Sequence, residues 1–246
     1  MSDPGQQSDT GHRVAIVTGG SKGIGAGLVE GYRQRGWAVV ANALTIEPSN
    51  DPDVLTVAGD ISEQATADRI ISQAIDRFGR VDTLVNNAGV FVSKPFTDYT
   101  AEDYALVTGV NLAGFFWVTQ RAIGQMLKQH SGHVVNISAS IADRADSVEP
   151  TALTALTKGG LAAVTKSLAV EYASRGIRVN AVAPGIIQTA RHPAESYTPE
   201  ALAGKLPPLG RVGQVSDIVE GVLYLESAPY VTGEILHVDG GRIAGK

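Results

Sequence analysis

The segment that most constrains this chain is Thr18-Gly19-Gly20-Ser21-Lys22-Gly23-Ile24-Gly25, which stands between two stretches of different character. Before it, Val14-Ala15-Ile16-Val17 reads as a buried strand, and after it the residues from Ile24 to about Arg35 read as a helix. A strand that feeds a helix through such a turn leaves backbone N–H groups unpaired at the helix start, where the helix dipole is positive. Side chains in the turn would hold a ligand away from those groups, and the turn itself needs φ values that glycine adopts without strain. Strand, glycine turn and helix together form a cradle for a diphosphate, with Gly19, Ser21, Lys22, Gly23, Ile24 and Gly25 as its candidate contacts.

The remaining sequence repeats the alternation of short β-branched runs with helix-length amphipathic stretches. Strands are expected at Ala38–Asn42, Val54–Val57, Thr83–Val85, His133–Ile137, Arg178–Val182 and Glu234–Val238. Helices are expected at about Glu63–Phe78, Ala101–Gln129 (bent near Gly109 or Gly114), Ala155–Ser174 and Val215–Leu225. The prediction is a single α/β domain of the Rossmann type over residues 13–246, a seven-stranded parallel sheet with helices on both faces, behind a polar tail at residues 1–12. A length of 246 residues suits one large domain.

Composition removes several classes of function. Twenty basic against 25 acidic residues, with no basic run, argue against nucleic acid and anionic membranes. The chain has no cysteine, which excludes disulfides, thiolate metal sites and a cysteine nucleophile and fits a cytoplasmic setting. Its five histidines show no paired ligand spacing, so no metal site is expected, and no apolar run is long enough to span a bilayer.

Two further regions bear on binding. The proline-bearing stretch Gln188–Arg211 follows strand six, beyond a carboxyl end of the sheet, and reads as a lid over a small-molecule substrate, with His192 and Tyr197 its candidate chemical groups. At the end of strand two an acid would hold the ribose hydroxyls and repel a 2′-phosphate, but Asn42-Ala43-Leu44-Thr45 has none before Glu47, while Lys22 is placed to meet an extra phosphate. This favours NADP(H) and leaves NAD(H) open.

At this point the chain resembles the short-chain dehydrogenase/reductase family, the type that includes 3-oxoacyl carrier-protein reductases and glucose dehydrogenases. The likeness runs from about Arg13 to Gly241 and is carried by the glycine loop, Gly59-Asp60-Ile61, Asn86-Asn87-Ala88-Gly89, Asn111, Pro184-Gly185-Ile186-Ile187-Gln188-Thr189 and Val238-Asp239-Gly240-Gly241. The resemblance implies an oxidoreductase acting on C=O or CH–OH groups with a nicotinamide cofactor. Asp60 and Ile61 would then lie at the adenine, Asn87, Ala88 and Gly89 beside the cofactor, Pro184, Gly185, Ile187 and Thr189 at the nicotinamide, and Lys158 on its ribose. It also implies a homo-oligomer, dimer or tetramer, pairing through the long helices and the C-terminal strand.

The departures fall on the reacting groups. The family's catalytic YxxxK is represented here by Thr154 and Lys158, and no tyrosine occurs between Tyr104 and Tyr172. Alignment of Val134–Ser140 by its strand puts Ala139 at the family's serine, so Ser138 or Ser140 would serve only after a local shift. Thr154 and Lys158 lie one helical turn apart on one face, but an aliphatic hydroxyl is a far weaker acid than a phenol. Lys158 with Asn111 and water, or a lid residue (His192 or Tyr197), would be the remaining proton sources; Asp143 and Asp146 read as solvated loop acids or as groups acting on a basic or hydroxylated substrate, and His133 reads as structural. Three readings stay open: a carbonyl/alcohol oxidoreductase with a non-standard site, a catalytically silent nucleotide-binding sensor or partner subunit, and a non-redox lyase or isomerase.

Overall fold

The computed structural model describes residues 12–145, 150–189 and 206–245. Seven strands form one parallel sheet in the order β3-β2-β1-β4-β5-β6-β7, where β1 is Val14–Thr18, β2 Ala38–Ala43, β3 Val54–Ala58, β4 Thr83–Asn86, β5 Gly132–Ile137, β6 Ile177–Pro184 and β7 Ile235–Val238. The helices are α1 (Gly23–Gln34), α2 (Gln64–Phe78), α3 (Ala101–Thr108), α4 (Phe115–Gln129), α5 (Ala152–Tyr172) and α6 (Val215–Ser227).

Alternate residues of each central strand serve different cores. Val14 and Ile16 of β1 pack with α2, α4 and α5 residues such as Ile70, Met126 and Ala169, while Ala15 and Val17 pack with Leu28 of α1 and Ile218 and Val222 of α6. Burial on both faces explains why β1 is a continuous apolar run rather than an alternating one.

The long helix expected over Ala101–Gln129 is interrupted by a π-helical turn, Gly109–Gly114, which separates α3 from α4 at the two glycines. At its end the turn passes close to the loop after β3, where a Cβ on Gly114 would press on Ile61 at 2.8 Å. Helix α5 starts at Ala152, three residues before the expected Ala155.

The base of the expected lid is tied down at two places. Gly213 N donates to Ile186 O and Gln188 N to Gly213 O, and Leu209 N donates to the Gly240 carbonyl of the turn after β7. His192 and Tyr197, with residues 190–205, lie outside the described residues, as does Asp146. Among the described residues no helix is long and apolar enough to cross a membrane.

Candidate active site

Strand order reverses between β1 and β4, and in parallel sheets ligands bind where the loops diverge at such a point. A cleft of about 480 Å³ lies there, walled by the glycine loop, the end of β2, the loop after β3 and the loop after β4. It brings together Gly19, Ser21, Lys22, Gly23, Ile24, Gly25, Asn42, Asp60, Ile61, Asn87, Ala88, Gly89 and Thr189, all expected from the sequence. It adds Ala43, Leu44 and Thr45 from the end of β2 and Gly59 from the Gly59-Asp60-Ile61 motif, none of them named as a contact, and Val90, Leu106 and Val110, which no motif marked.

The glycine loop is held by its neighbours. Gly19 has φ +68°, and a Cβ on Gly25 would run into the Gly19 carbonyl oxygen. Asn87 Nδ2 donates to the carbonyls of Thr18 (2.9 Å) and Gly19 (3.2 Å), and Thr18 Oγ1 accepts from the backbone N–H groups of Asn87 and Ala88. The sequence pair of a glycine turn and an asparagine-rich loop is therefore one hydrogen-bonded unit. Deeper in, Asn86 Nδ2 donates to Thr119 Oγ1 and Asn136 Oδ1, and Asn136 Nδ2 to Thr165 Oγ1, which pins β4 and β5 to α4 and α5.

Only two charged residues line the cleft among those described, Lys22 and Asp60. Asp60 Oδ1 accepts from the N–H and hydroxyl of Ser62, which leaves Oδ2 for an incoming donor. Asn42 Nδ2 donates to the carbonyls of Val57 and Gly59, whereas its Oδ1 is buried without a partner.

Behind Gly89 stands the second group of candidates. Lys158 is 8% exposed, and its Nζ donates to Ile137 O at 2.7 Å. The same amine lies 3.2 Å from where a Gly89 Cβ would stand, so a side chain there would press on the lysine. Burial pulls the Lys158 pKa from 10.5 down to about 8. Asn111, on the π turn, is fully engaged: Oδ1 accepts from Val90 N, and Nδ2 donates to Val90 O and Thr157 Oγ1.

The hydroxyls divide sharply. Ser138 Oγ donates to the Lys158 carbonyl at 3.0 Å, which commits it to anchoring α5. Ser140 Oγ and Thr154 Oγ1 are buried with no partner. Ser140 begins the single 3₁₀ turn Ser140–Ala142 that packs on α5, the helix carrying Thr154.

Three expected cofactor contacts sit apart from this cleft: Gly185 packs on Asp239, Ile187 is turned into the α1/α6 core, and Pro184 ends β6. Asp143, expected to be solvated or to meet substrate, is paired with His237 Nε2 at 2.9 Å. His133 lies inside β5 and hydrogen-bonds Glu226. Neither partner was visible in the sequence, because each pair spans more than ninety residues: 94 for Asp143 and 93 for His133.

Residues 19–242 match the family model described as enoyl-(acyl carrier protein) reductase. The 3-oxoacyl-[acyl-carrier-protein] reductase FabG of Thermotoga maritima is 33% identical over 94% of this chain and 98% of its own. Among solved structures, ElxO with NADP bound shares 27% identity at a TM-score of 0.87, over 96% of this chain and 100% of that one. The 3-ketoacyl-(acyl-carrier-protein) reductase of Brucella melitensis, complexed with NADH, shares 29% at 0.83, over 94% and 98%. Sheet order, glycine turn and the run of matched motifs agree with these likenesses, and the chain belongs to the short-chain dehydrogenase/reductase family of oxidoreductases.

Proposed function

We propose that this protein binds NADP(H) in the 480 Å³ cleft and interconverts a carbonyl and an alcohol with an altered set of polar groups at the reacting carbon. The observation that carries the reading is the cleft itself: positive-φ glycines at a helix start, and Lys22 as the one cation among the described lining residues. The buried, unpartnered Asn42 Oδ1 and the spare oxygen of Asp60 fit a ligand with N–H or O–H donors at that end. Relatives seen with NADP or NADH bound support the cofactor class.

When bound, the nicotinamide supplies or accepts a hydride; the chain's residues position and polarise. Lys22 would meet a 2′-phosphate, Thr189 lies over Gly23, and Lys158, buried behind Gly89, would hold ribose hydroxyls. Thr154 and Ser140 offer hydroxyls for a substrate oxygen but cannot replace a phenol as acid. Lys158, its pKa pulled down to about 8 by burial, is the group best suited to yield a proton. Loss of a positioned acid lowers turnover by roughly 10²–10⁴-fold while leaving orientation in place. A groove of about 400 Å³ on α4 and α5, lined by Phe115, Phe116, Trp117, Gly160, Leu161 and Val164, suits a second copy of the chain, so a homo-oligomer is part of the same proposal.

Fluorescence titration tests the cofactor: NADPH binds more tightly than NADH, and Lys22→Ala weakens NADPH by roughly tenfold while sparing NADH. A carbonyl panel with NADPH tests turnover, and the pair Thr154→Tyr with Ala139→Ser raises it strongly if only the acid was lost.

The second reading is a nucleotide binder without turnover. It is favoured by Lys158 Nζ being held on Ile137 O and by the two unpartnered hydroxyls. Tight NADPH binding with no oxidation above background across the panel would select it.

A further inference from the structure

A second cavity, of about 330 Å³, opens on the other side of the sheet end, between the lid base and β7, where Ile187, Pro207, Leu209, Arg211, His237 and Val238 form much of its wall. Most of this wall is apolar. Its cation is already neutralised, because the Arg211 guanidinium grips Asp217 through both terminal nitrogens at 2.7 and 2.9 Å. Asp239 accepts from the N–H groups of Gly241 and Ile243. What remains is His237.

His237 Nε2 lies 2.9 Å from Asp143 Oδ2, and a carboxylate only accepts, so Nε2 carries the hydrogen. In the neutral ring Nδ1 is then a bare lone pair, and neither it nor Asp143 Oδ1 has a hydrogen-bond partner among the described residues. The side chains are 25% and 40% exposed, so the pair presents two acceptors to solvent. Its place relative to the reacting groups follows from the sheet. Leu236 and Val238 pack on the α1/α6 side, so His237 between them faces the α5 side, the side on which Ser138 Oγ reaches Lys158. β7 is two strands from β5, which puts the pair about 10 Å from the strand end that bears Lys158's partner Ile137.

We propose that His237 and Asp143 form a recognition pair for a hydroxyl group of the substrate, which makes the substrate an elongated, uncharged hydroxyketone rather than an anionic acyl thioester. The proposal rests on the carbonyl-reducing reading above. Two acceptors attract a donor and repel a phosphate or carboxylate, and Arg211, the one cation among the described residues that line the cavity, is already paired. Apolar walls on the remaining sides suit a hydrocarbon skeleton that spans the distance between them and the Lys158 end. Asp143 acts by fixing the ring and its tautomer; His237 makes the contact.

The test uses the full chain saturated with tetrahydro-NADP, an analogue that can neither donate nor accept a hydride, so that neither the ketone nor the hydroxyl of a probe reacts and binding is read without turnover. Calorimetry at about pH 8, where an ordinary imidazole is neutral, compares three probes: testosterone, androst-4-en-3-one and acetoacetyl-coenzyme A. Testosterone and its deoxy counterpart differ only in a hydroxyl at the end of the skeleton remote from the ketone. Testosterone is expected to bind roughly tenfold more tightly than the deoxy ketone, and acetoacetyl-coenzyme A more weakly than either. His237→Phe removes the difference and keeps the affinity for the deoxy ketone; Asp143→Asn, on the exposed side of the pair, narrows it; His237→Gln, which keeps an acceptor, restores part of it. Equal affinity for the two steroids, no binding of either, a preference that survives in His237→Phe, or tighter binding of the thioester overturns the proposal. A separate titration with NADP⁺ alone keeps the two ideas apart: its failure removes the cofactor reading, whereas cofactor binding without a hydroxyl preference removes only this one.

Discussion

At the amino ends of β4, β5 and β6 a buried carboxylate, Glu226, is surrounded by donors; at the carboxyl ends of the same strands, Ser140 and Thr154 are buried with none. Glu226 Oε2 accepts from Tyr32 OH, Thr83 Oγ1 and His133 Nδ1, and Arg178 binds the backbone carbonyls of Leu225, Glu226 and Val231 beside it. Even the histidine tautomer is determined. Asn180 Oδ1 accepts from Glu234 N and its Nδ2 donates to Val231 O, so the same amide presents a donor to His133 Nε2, which must be the lone pair, and Nδ1–H faces the carboxylate. One end of the sheet has closed its hydrogen-bond account within the chain and the other has left it open for a ligand. Buried polar groups that lack partners are scarce in folded proteins, and where they cluster a missing partner is the first explanation.

Breaking the closed end should have the largest effect. Glu226→Ala strands three donors in the interior and is expected to lower stability by about 3–5 kcal/mol in urea denaturation, with NADPH affinity per folded molecule unchanged. A fall in affinity matching the fall in stability would mean that the two ends are not independent.

The open end should respond in the opposite direction. Below a pH of about 8 the buried Lys158 amine is charged, and the unfolded chain holds that proton more readily up to the ordinary 10.5. The stability cost is therefore full at neutral pH and fades as the pH rises through that window. Lys158→Met is expected to stabilise the ligand-free protein by about 2–3 kcal/mol at pH 7 and to weaken cofactor binding and turnover.

Acid acts on the closed end again, more gently. Burial holds the His133 pKa below its ordinary 6.5, against the pull of Glu226, so its contribution is complete above that value and is lost as the pH falls through it. Melting temperature should decline as the pH drops below about 6.5, and the same scan on His133→Gln should lack that component.

The smallest effect is expected at Thr154. Because Oγ1 has no protein partner, Thr154→Val should change stability by less than about 1 kcal/mol, or raise it, while reducing whatever carbonyl turnover exists. A marked loss of stability would show that the hydroxyl is satisfied after all.

Much of the open end was legible in the sequence and almost none of the closed end. The glycine turn and the end of β2 are local signals, the other motifs were marked by the resemblance, and the cleft gathers thirteen residues that the two together named. The fold followed from period: Val14–Val17 and the strands after it are short apolar runs alternating with helix-length stretches, and the two half-buried ones, β3 and β7, are the edges. The Glu226 cluster carries no such mark, since Tyr32 and Glu226 are 194 residues apart and meet only because α1 and α6 share one face. The His237–Asp143 pair was hidden for the same reason. The π turn was half visible, as two glycines where a bend was due, but the approach of Gly114 to Ile61 belongs to packing.

That turn has a mechanical consequence. Gly114 abuts Ile61, next to Asp60 at one end of the cleft, and three residues earlier Asn111 clamps Val90 at the other end. A single turn of helix thus touches both halves of the nucleotide groove, so a side chain added at Gly114 would displace Ile61 or the turn that carries Asn111 and its hold on Val90.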